Sequence, residues 1–273
     1  MVDAFAVATL TIPSNVDLAR FCARYTLGPL ETVTGIQGGT VNSSFAVHIG
    51  KKIYFLRIYE EQGFEEACEE TALLLRLVAR GIPTPSPVPT AAGPYVTELC
   101  GKPAALFHWS EGVMRCQASV RPEDTFQVGR ALASLHVAAA GEAPRPGRFG
   151  LDALLTRCDR VRDIDPTLAD SLAAGLRDIE AKRRALPSGL IHGDLFRDNV
   201  LWSGNQLSAL IDFESASFGP FAYDLMVTTL AWCTGDRLDA SLARSLFAGY
   251  QSKRTLAEEE KDALCVEGAF ACH

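Results

Sequence analysis

The chain has 273 residues, 33 acidic against 26 basic, a formal net charge of −7, and 48% apolar with 22% charged side chains. This balance supports a sizeable core in one large domain or two modest lobes, and an acidic excess without a basic stripe excludes a general nucleic-acid binder. Eight cysteines without a C-x-x-C pair or zinc spacing point to free, buried thiols in a reducing cytoplasm, and no apolar run reaches the length of a membrane span.

The first ten residues are apolar but carry Asp3 and no basic segment, a poor signal peptide. A helix is expected over 14–25. Ser14 or Asn15 caps it, Asp17 lies in its first turn, Val16, Leu18, Ala19, Phe21 and Cys22 form a face for a sheet, and Gly28-Pro29 follows its end. Strands are expected at 31–36, 44–49 and 53–59. Between the first two, Gly38 and Gly39 allow backbone amides to approach phosphate oxygens, with Thr40, Asn42 and Ser43 as further donors. Read alone, that loop is a hairpin turn; its place ahead of the loop at 190–201 reverses the reading. Arg57, on the third strand, is a cation for nucleotide phosphates or an ordinary strand arginine. A helix over 64–80 carries Glu69 and Glu70, one of which reaches Arg57 unless the acidic cluster is a solvated face.

The proline run 82–89 is extended, strands follow near 95–99 and 104–109, and Ser110-Glu-Gly112 has the character of a link between lobes, its backbone open to an adenine ring. Beyond it the chain turns helical, at 122–140, 151–161 and 166–186. The stretch Leu190-Ile-His-Gly-Asp-Leu-Phe-Arg-Asp-Asn-Val-Leu201, then Ala209-Leu-Ile-Asp-Phe-Glu214, organises everything else. Two apolar runs flank a polar turn with His192, Asp194 and Asn199, and Asp212 ends a further run. H-x-D-x4-N followed by D-F is the order of a kinase catalytic loop and metal site. One carboxylate accepts the hydroxyl proton; an amide and a second carboxylate hold magnesium against phosphates. His192 would brace the loop.

The helix over 221–232 is very apolar and reads as the buried axis of the second lobe. Asp224 within it needs a partner, because a buried unpaired carboxylate is costly, and the catalytic loop is the economical one. A last helix over 258–273 stops without glycine, proline or a polar tail, which reads as a chain lacking its C-terminal helices.

His192-Gly-Asp-Leu-Phe-Arg-Asp-Asn-Val200 with Ile211-Asp-Phe213 resembles the aminoglycoside phosphotransferase/choline kinase superfamily. Gly35–Phe45, Leu56-Arg-Ile-Tyr-Glu60, Arg80-Gly-Ile-Pro-Thr-Pro85, Gly101-Lys-Pro-Ala-Ala105 and Tyr223-Asp-Leu225 are most similar to bacterial type II homoserine kinases. The resemblance spans about residues 14–271. It implies an α+β, two-lobed protein-kinase-like fold, with an antiparallel-sheet nucleotide-binding lobe over 1–109 and a helical catalytic lobe over 110–273. It further implies ATP and Mg2+ as cofactors, Asp194 as base, Asn199 and Asp212 as metal ligands, Asp224 as the brace of the loop, and homoserine as acceptor in threonine biosynthesis.

Glu214-Ser215 and Leu230-Ala-Trp-Cys233 depart from that family's pattern on the substrate side. Other acceptors therefore stay open: an aminoglycoside, held by carboxylates such as Asp159, Asp163, Asp165, Asp170 and Asp178, or choline and other amino alcohols. An inactive nucleotide-binding module is the further alternative. Arg197 is either the partner of an acceptor carboxylate or a structural arginine bridging the loop. A small-molecule alcohol is the expected partner, with no nucleic acid or membrane; oligomeric state is left open.

Overall fold

The computed structural model describes residues 10–36, 41–143 and 149–273, so Gly38, Gly39 and Thr40 lie outside the described residues. By its internal contacts the chain divides into two units, Met1–Ala79 with Thr84–Ser110 and Arg80–Pro83 with Glu111–His273. Arg80–Pro83, expected within the 1–109 lobe, goes with the second unit for a reason visible in its bonds. Arg80 reaches the Ala138 carbonyl at 2.9 Å and Glu142 at 2.7 Å, and Leu210 N donates to Pro83 O at 2.7 Å.

The first unit is an antiparallel sheet with two helices. Its strands β1 (Leu30–Gly35), β2 (Ser43–Ile49), β3 (Lys52–Ile58), β4 (Val96–Leu99) and β5 (Lys102–His108) lie in the order β1-β2-β3-β5-β4. The period-2 alternation of β3 sends Tyr54, Leu56 and Ile58 to a buried face and leaves Ile53, Phe55 and Arg57 half-buried on the other. Helix α1 (Asn15–Cys22), capped by Ser14 Oγ on Asp17 N, lays Leu18, Phe21 and Cys22 into the cluster with Val47, Leu56 and Leu106. Burying a Leu or Phe of this kind contributes about 1.5–3 kcal/mol. Helix α2 (Phe64–Ala79) packs on β4 and β5 and buries Leu73, Leu74 and Leu77.

The second unit contains α3 (Pro122–Ala138), α4 (Leu151–Arg162), α5 (Pro166–Glu180), α6 (Phe221–Cys233), α7 (Ala240–Gln251) and α8 (Glu258–Cys272). Two small antiparallel sheets accompany them: β6 (Ser188–Ile191) with β9 (Ser217–Pro220), and β7 (Val200–Ser203) with β8 (Gln206–Leu210). Helix α6 is apolar all round and buries Leu225, Val227, Trp232 and Cys233. Helices α3 and α7 meet at two glycines. A Cβ on Gly129 would stand 2.0 Å from Leu246 O, and one on Gly249 2.0 Å from Phe126 O, so the backbones touch where side chains are absent.

Several expectations are corrected. Helix α5 ends at Glu180, not near 186, and Arg183 just beyond it turns to Glu267, with Nε at 2.9 Å from Oε1 and Nη2 at 2.8 Å from Oε2. Only Cys22, Cys158 and Cys233 are buried; the other five cysteines are exposed, and all eight are free. Helix α7 and strand β9 were not anticipated. Asp239, whose carboxylate accepts from Ser241 N and Leu242 N, is the capping signal that marks the start of α7. Among the described residues no helix is long and apolar enough to cross a membrane.

Candidate active site

The loop 192–199 is stitched at both ends. Leaving β6, Gly193 adopts φ 76°, and a Cβ there would lie 2.9 Å from Ser215 O, so the turn requires glycine on two counts. Phe196 N donates to Asp194 O at 2.8 Å. The Asn199 amide donates through Nδ2 to Asp194 O at 2.7 Å and to Asp194 Oδ2 at 3.2 Å. Ile211 N donates to Asn199 O at 3.0 Å, which sets Asp212 beside Asn199 although thirteen positions separate them in the chain. Asp212 holds φ 63° and ψ 67°, a left-handed conformation that a non-glycine residue keeps only when its surroundings demand it.

His192 is fully buried, and its Nε2 donates to Ile211 O at 3.1 Å, tying the loop to the Asp212 turn. Its ring lies 4.7 Å from the Phe213 ring, and burial pushes its pKa below the ordinary imidazole value, so it serves as a neutral brace. Asp224, from the first turn of α6, accepts from His192 N and Gly193 N, each at 2.8 Å, and from His136 Nε2 of α3 at 2.9 Å. Burial works to raise the Asp224 carboxyl, but the neighbouring His136 and His192 imidazoles, with the Gly193 N–H, outweigh it and hold the group below the usual carboxylate range. The costly buried carboxylate therefore has three donors. Trp232 Nε1 donates to Leu195 O at 2.9 Å, a further tie between α6 and the loop. An Arg197 Nη1 hydrogen bond to Ala231 O is another, which favours the bracing role for that arginine over contact with an acceptor.

These groups suit one chemistry. With Asn199 Nδ2 committed to Asp194, the amide oxygen is its remaining donor atom for a cation, and Asp212 follows the residue whose N–H bonds Asn199 O. Two oxygen donors completed by phosphate oxygens and waters match Mg2+, which is rarely caged by protein alone. Among the described residues no three His, Cys, Asp or Glu side chains gather into a cage for a metal ion. Asp194 is half-buried at the head of the loop, the position from which a base meets a hydroxyl.

In the first unit, Arg57 Nη1 pairs with Glu70 Oε1 of α2 at 3.1 Å, and its guanidinium lies 5.7 Å from the Phe55 ring. Asn42 and Ser43, expected as phosphate donors, are buried and engaged. Glu60 N donates to Asn42 Oδ1 at 3.1 Å, and Ser43 Oγ donates to the Glu60 carboxylate. Thr11 N (2.7 Å), Thr11 Oγ1 (3.0 Å) and Lys102 Nζ also donate to that carboxylate. Burial alone would raise the Glu60 pKa; the Lys102, Ser43 and Thr11 bonds bring it below the ordinary value. Glu60 and Lys102, which lie in stretches that carry the family resemblance but have no role assigned from sequence, thus anchor the residues that follow Gly38, Gly39 and Thr40. Of the acidic residues around α4 and α5, Asp159 and Asp170 are exposed partners of Arg162, and Asp165 caps α5.

A cavity of ~130 Å³ adjoins the loop within the second unit, walled by Ile191, Ser217, Gly219, Tyr223, Arg183 and Phe270. Ile191 directly precedes His192, and Tyr223 directly precedes Asp224.

A family model described as "Phosphotransferase enzyme family" matches residues 32–260, most of the chain. The chain belongs to this family. It is a kinase by that membership, with the α+β fold the family shares. Among curated relatives, a homoserine kinase of Methylobacterium radiotolerans is 38% identical over 94% of this chain and 83% of its own length. One of Mesorhizobium japonicum is 36% identical over the same shares. Among solved structures, an amicoumacin kinase in complex with AMP-PNP and Ca2+ superposes with a TM-score of 0.74 at 16% identity, covering 95% of this chain and 83% of that one, a likeness of fold.

Proposed function

We propose that this phosphotransferase moves the γ-phosphoryl group of ATP to the hydroxyl of L-homoserine. The observation that carries the reading is the similarity to curated homoserine kinases, 35–38% identical along nearly the whole chain, and it favours homoserine over aminoglycosides and choline. A place in threonine biosynthesis and in the cytoplasm comes with that reading.

In this reading Asp194 accepts the proton of the acceptor hydroxyl and aims its oxygen at the phosphorus. Asn199 fixes the Asp194 carboxylate, and Asp224 with His192 fixes the backbone that carries it. Asn199 and Asp212 would hold Mg2+, which would supply positive charge to offset that developing on the transferred phosphoryl group. Gly38, Gly39 and Thr40 cradle the phosphates, while Arg57, steadied by Glu70, supplies a fixed cation to the nucleotide. The residues do little covalent chemistry, so the gain comes from alignment and charge neutralisation. The residue ranges 1–109 and 110–273 then divide the work into nucleotide and acceptor halves.

The product tests the proposal. Incubation with ATP, Mg2+ and homoserine should give a 31P resonance of a phosphomonoester scalar-coupled to the γ-methylene protons of homoserine. Formation of ADP and inorganic phosphate alone would contradict it.

A further inference from the structure

A buried line of hydrogen bonds runs from the start of α8 to the catalytic loop. Glu260, fully buried, holds Arg254 through two contacts, Nη1 to Oε1 at 3.0 Å and Nη2 to Oε2 at 3.1 Å. Arg254 Nη1 donates to the Tyr250 hydroxyl oxygen at 3.2 Å. That hydroxyl lies 2.8 Å from His136 Nδ1, and His136 Nε2 lies 2.9 Å from Asp224 Oδ2. Asp224 in turn receives His192 N and Gly193 N. Tyr250 and Asp224 have no exposure, and His136 has 2%.

The directions of these bonds are not interchangeable. Arginine only donates, so the phenol oxygen is an acceptor toward Arg254, and among the described residues His136 Nδ1 is the acceptor within reach of its own hydrogen. In that arrangement Nδ1 carries a lone pair. Asp224, facing Nε2 as an anion, requires a hydrogen there. The groups facing His136 are Asp224 on α6, Tyr250 on α7 and Arg254 beyond its end, with Glu260 of α8 behind Arg254 and His192 beyond Asp224. The Arg254 guanidinium also lies 4.5 Å from the Phe221 ring, which lies 4.5 Å from the His136 imidazole as well. A second cation on His136 would stand close to Arg254 and turn an N–H against the phenol hydrogen.

We infer that Tyr250 and Arg254, which reach the loop through His136 and Asp224, are positioning residues for phosphoryl transfer: they fix His136 as the neutral Nε2–H imidazole, so that Asp224 clamps Gly193 and His192 with its full negative charge. The inference rests on the reading of Asp194 as the base of that transfer. Hydrogen bonds to an ionised carboxylate are the stronger kind, and a small drift of a catalytic group costs rate steeply.

Histidine 15N spectra at neutral pH, with His136 assigned by its disappearance in His136→Gln, decide the matter together with turnover. Wild type should show neutral Nε2–H at His136. Tyr250→Phe keeps the ring and removes the hydroxyl. It should shift His136 away from the pure neutral Nε2–H pattern and lower kcat by roughly ten-fold, short of the ~100-fold that an ångström of misplacement can cost. KM for ATP and acceptor should stay within about two-fold, and because a loss of folded protein would also lower apparent kcat at constant KM, kcat is referred to the folded fraction read by circular dichroism. In a His136→Gln background the same change should cost nothing further, because Tyr250 acts through His136. An imidazolium or Nδ1–H form in wild type overturns the inference, as does an equal kcat loss in both backgrounds. Should Tyr250→Phe not fold, the wild-type spectrum still decides. If wild type transfers phosphate to no alcohol, the functional reading fails while the spectra judge this one alone.

Discussion

Asp194 takes the Asn199 amide on its main-chain and side-chain oxygens, so its position is set by bonds that a change of charge need not break. Asp194→Asn should therefore lower turnover by about a hundred-fold or more, the usual cost of removing a placed base. Titration with a nucleotide analogue should show affinity within a few-fold of wild type; near-normal turnover would remove the residue from that role. Asp212→Ala should abolish the dependence of nucleotide affinity on Mg2+, read by titration with and without the metal. Asp224 gives a pH signature. Its folded pKa is depressed, so its contribution to stability is complete above the ordinary carboxylate value of 3.8 and is lost as pH falls below it. Urea midpoints measured from pH 6 down to pH 3 should fall in wild type and fall less steeply in Asp224→Asn. A steeper fall in the variant would count against the clamp. At this scale the sequence was most legible where chemistry forces residue choice: the spacing of Asp194, Asn199 and Asp212, and the oddity of a carboxylate in an apolar helix. His136 and Tyr250 stayed hidden because their partners are 88 and 114 residues away and neither belongs to a local motif.

Helices and strands were readable to the extent that their apolar period and caps are local. Ser14 before α1, alternation in β3 and glycine after α2 all place element ends within a few residues. Helix α7 escaped because its contact with α3 is made by backbone at Gly249 as much as by Leu242, Leu246 and Tyr250, and glycine adds nothing to an apolar stripe. Strand β9 escaped for a different reason: its four residues include two glycine or proline positions, and only pairing with β6 makes it a strand. The same crossing supplies a prediction. Gly249→Ala would press a methyl group into Phe126 O, so the helices must separate, at a cost of about 3 kcal/mol, the upper end for overpacking. Calorimetry should show Tm lower by roughly 6–12 °C. An unchanged Tm would mean that α3 and α7 do not approach so closely.

Across the whole molecule the division of labour follows from where charge is buried. The first unit commits Glu60, Lys102, Arg57 and Glu70 to fixed pairs, and the second commits Asp224, Glu260 and Arg254 to a line that ends at the catalytic loop. Buried pairs of this kind are weak evidence of stability but hold groups in one arrangement, which alignment-driven phosphoryl transfer needs. The α+β architecture could be read from the switch between strand and helix patterning near residue 110. The inclusion of Arg80–Pro83 in the second unit could not, since it depends on carbonyls at Ala138 and Pro83 that no side-chain pattern announces. The central claim is that this fold carries phosphate from ATP to homoserine. Steady-state ADP release with homoserine, serine, choline and kanamycin tests it most directly. The account predicts kcat/KM for homoserine at least about a hundred-fold above choline and kanamycin, since an acceptor lacking a group for which a site is built leaves polar partners unmatched. A preference for choline or kanamycin would contradict it.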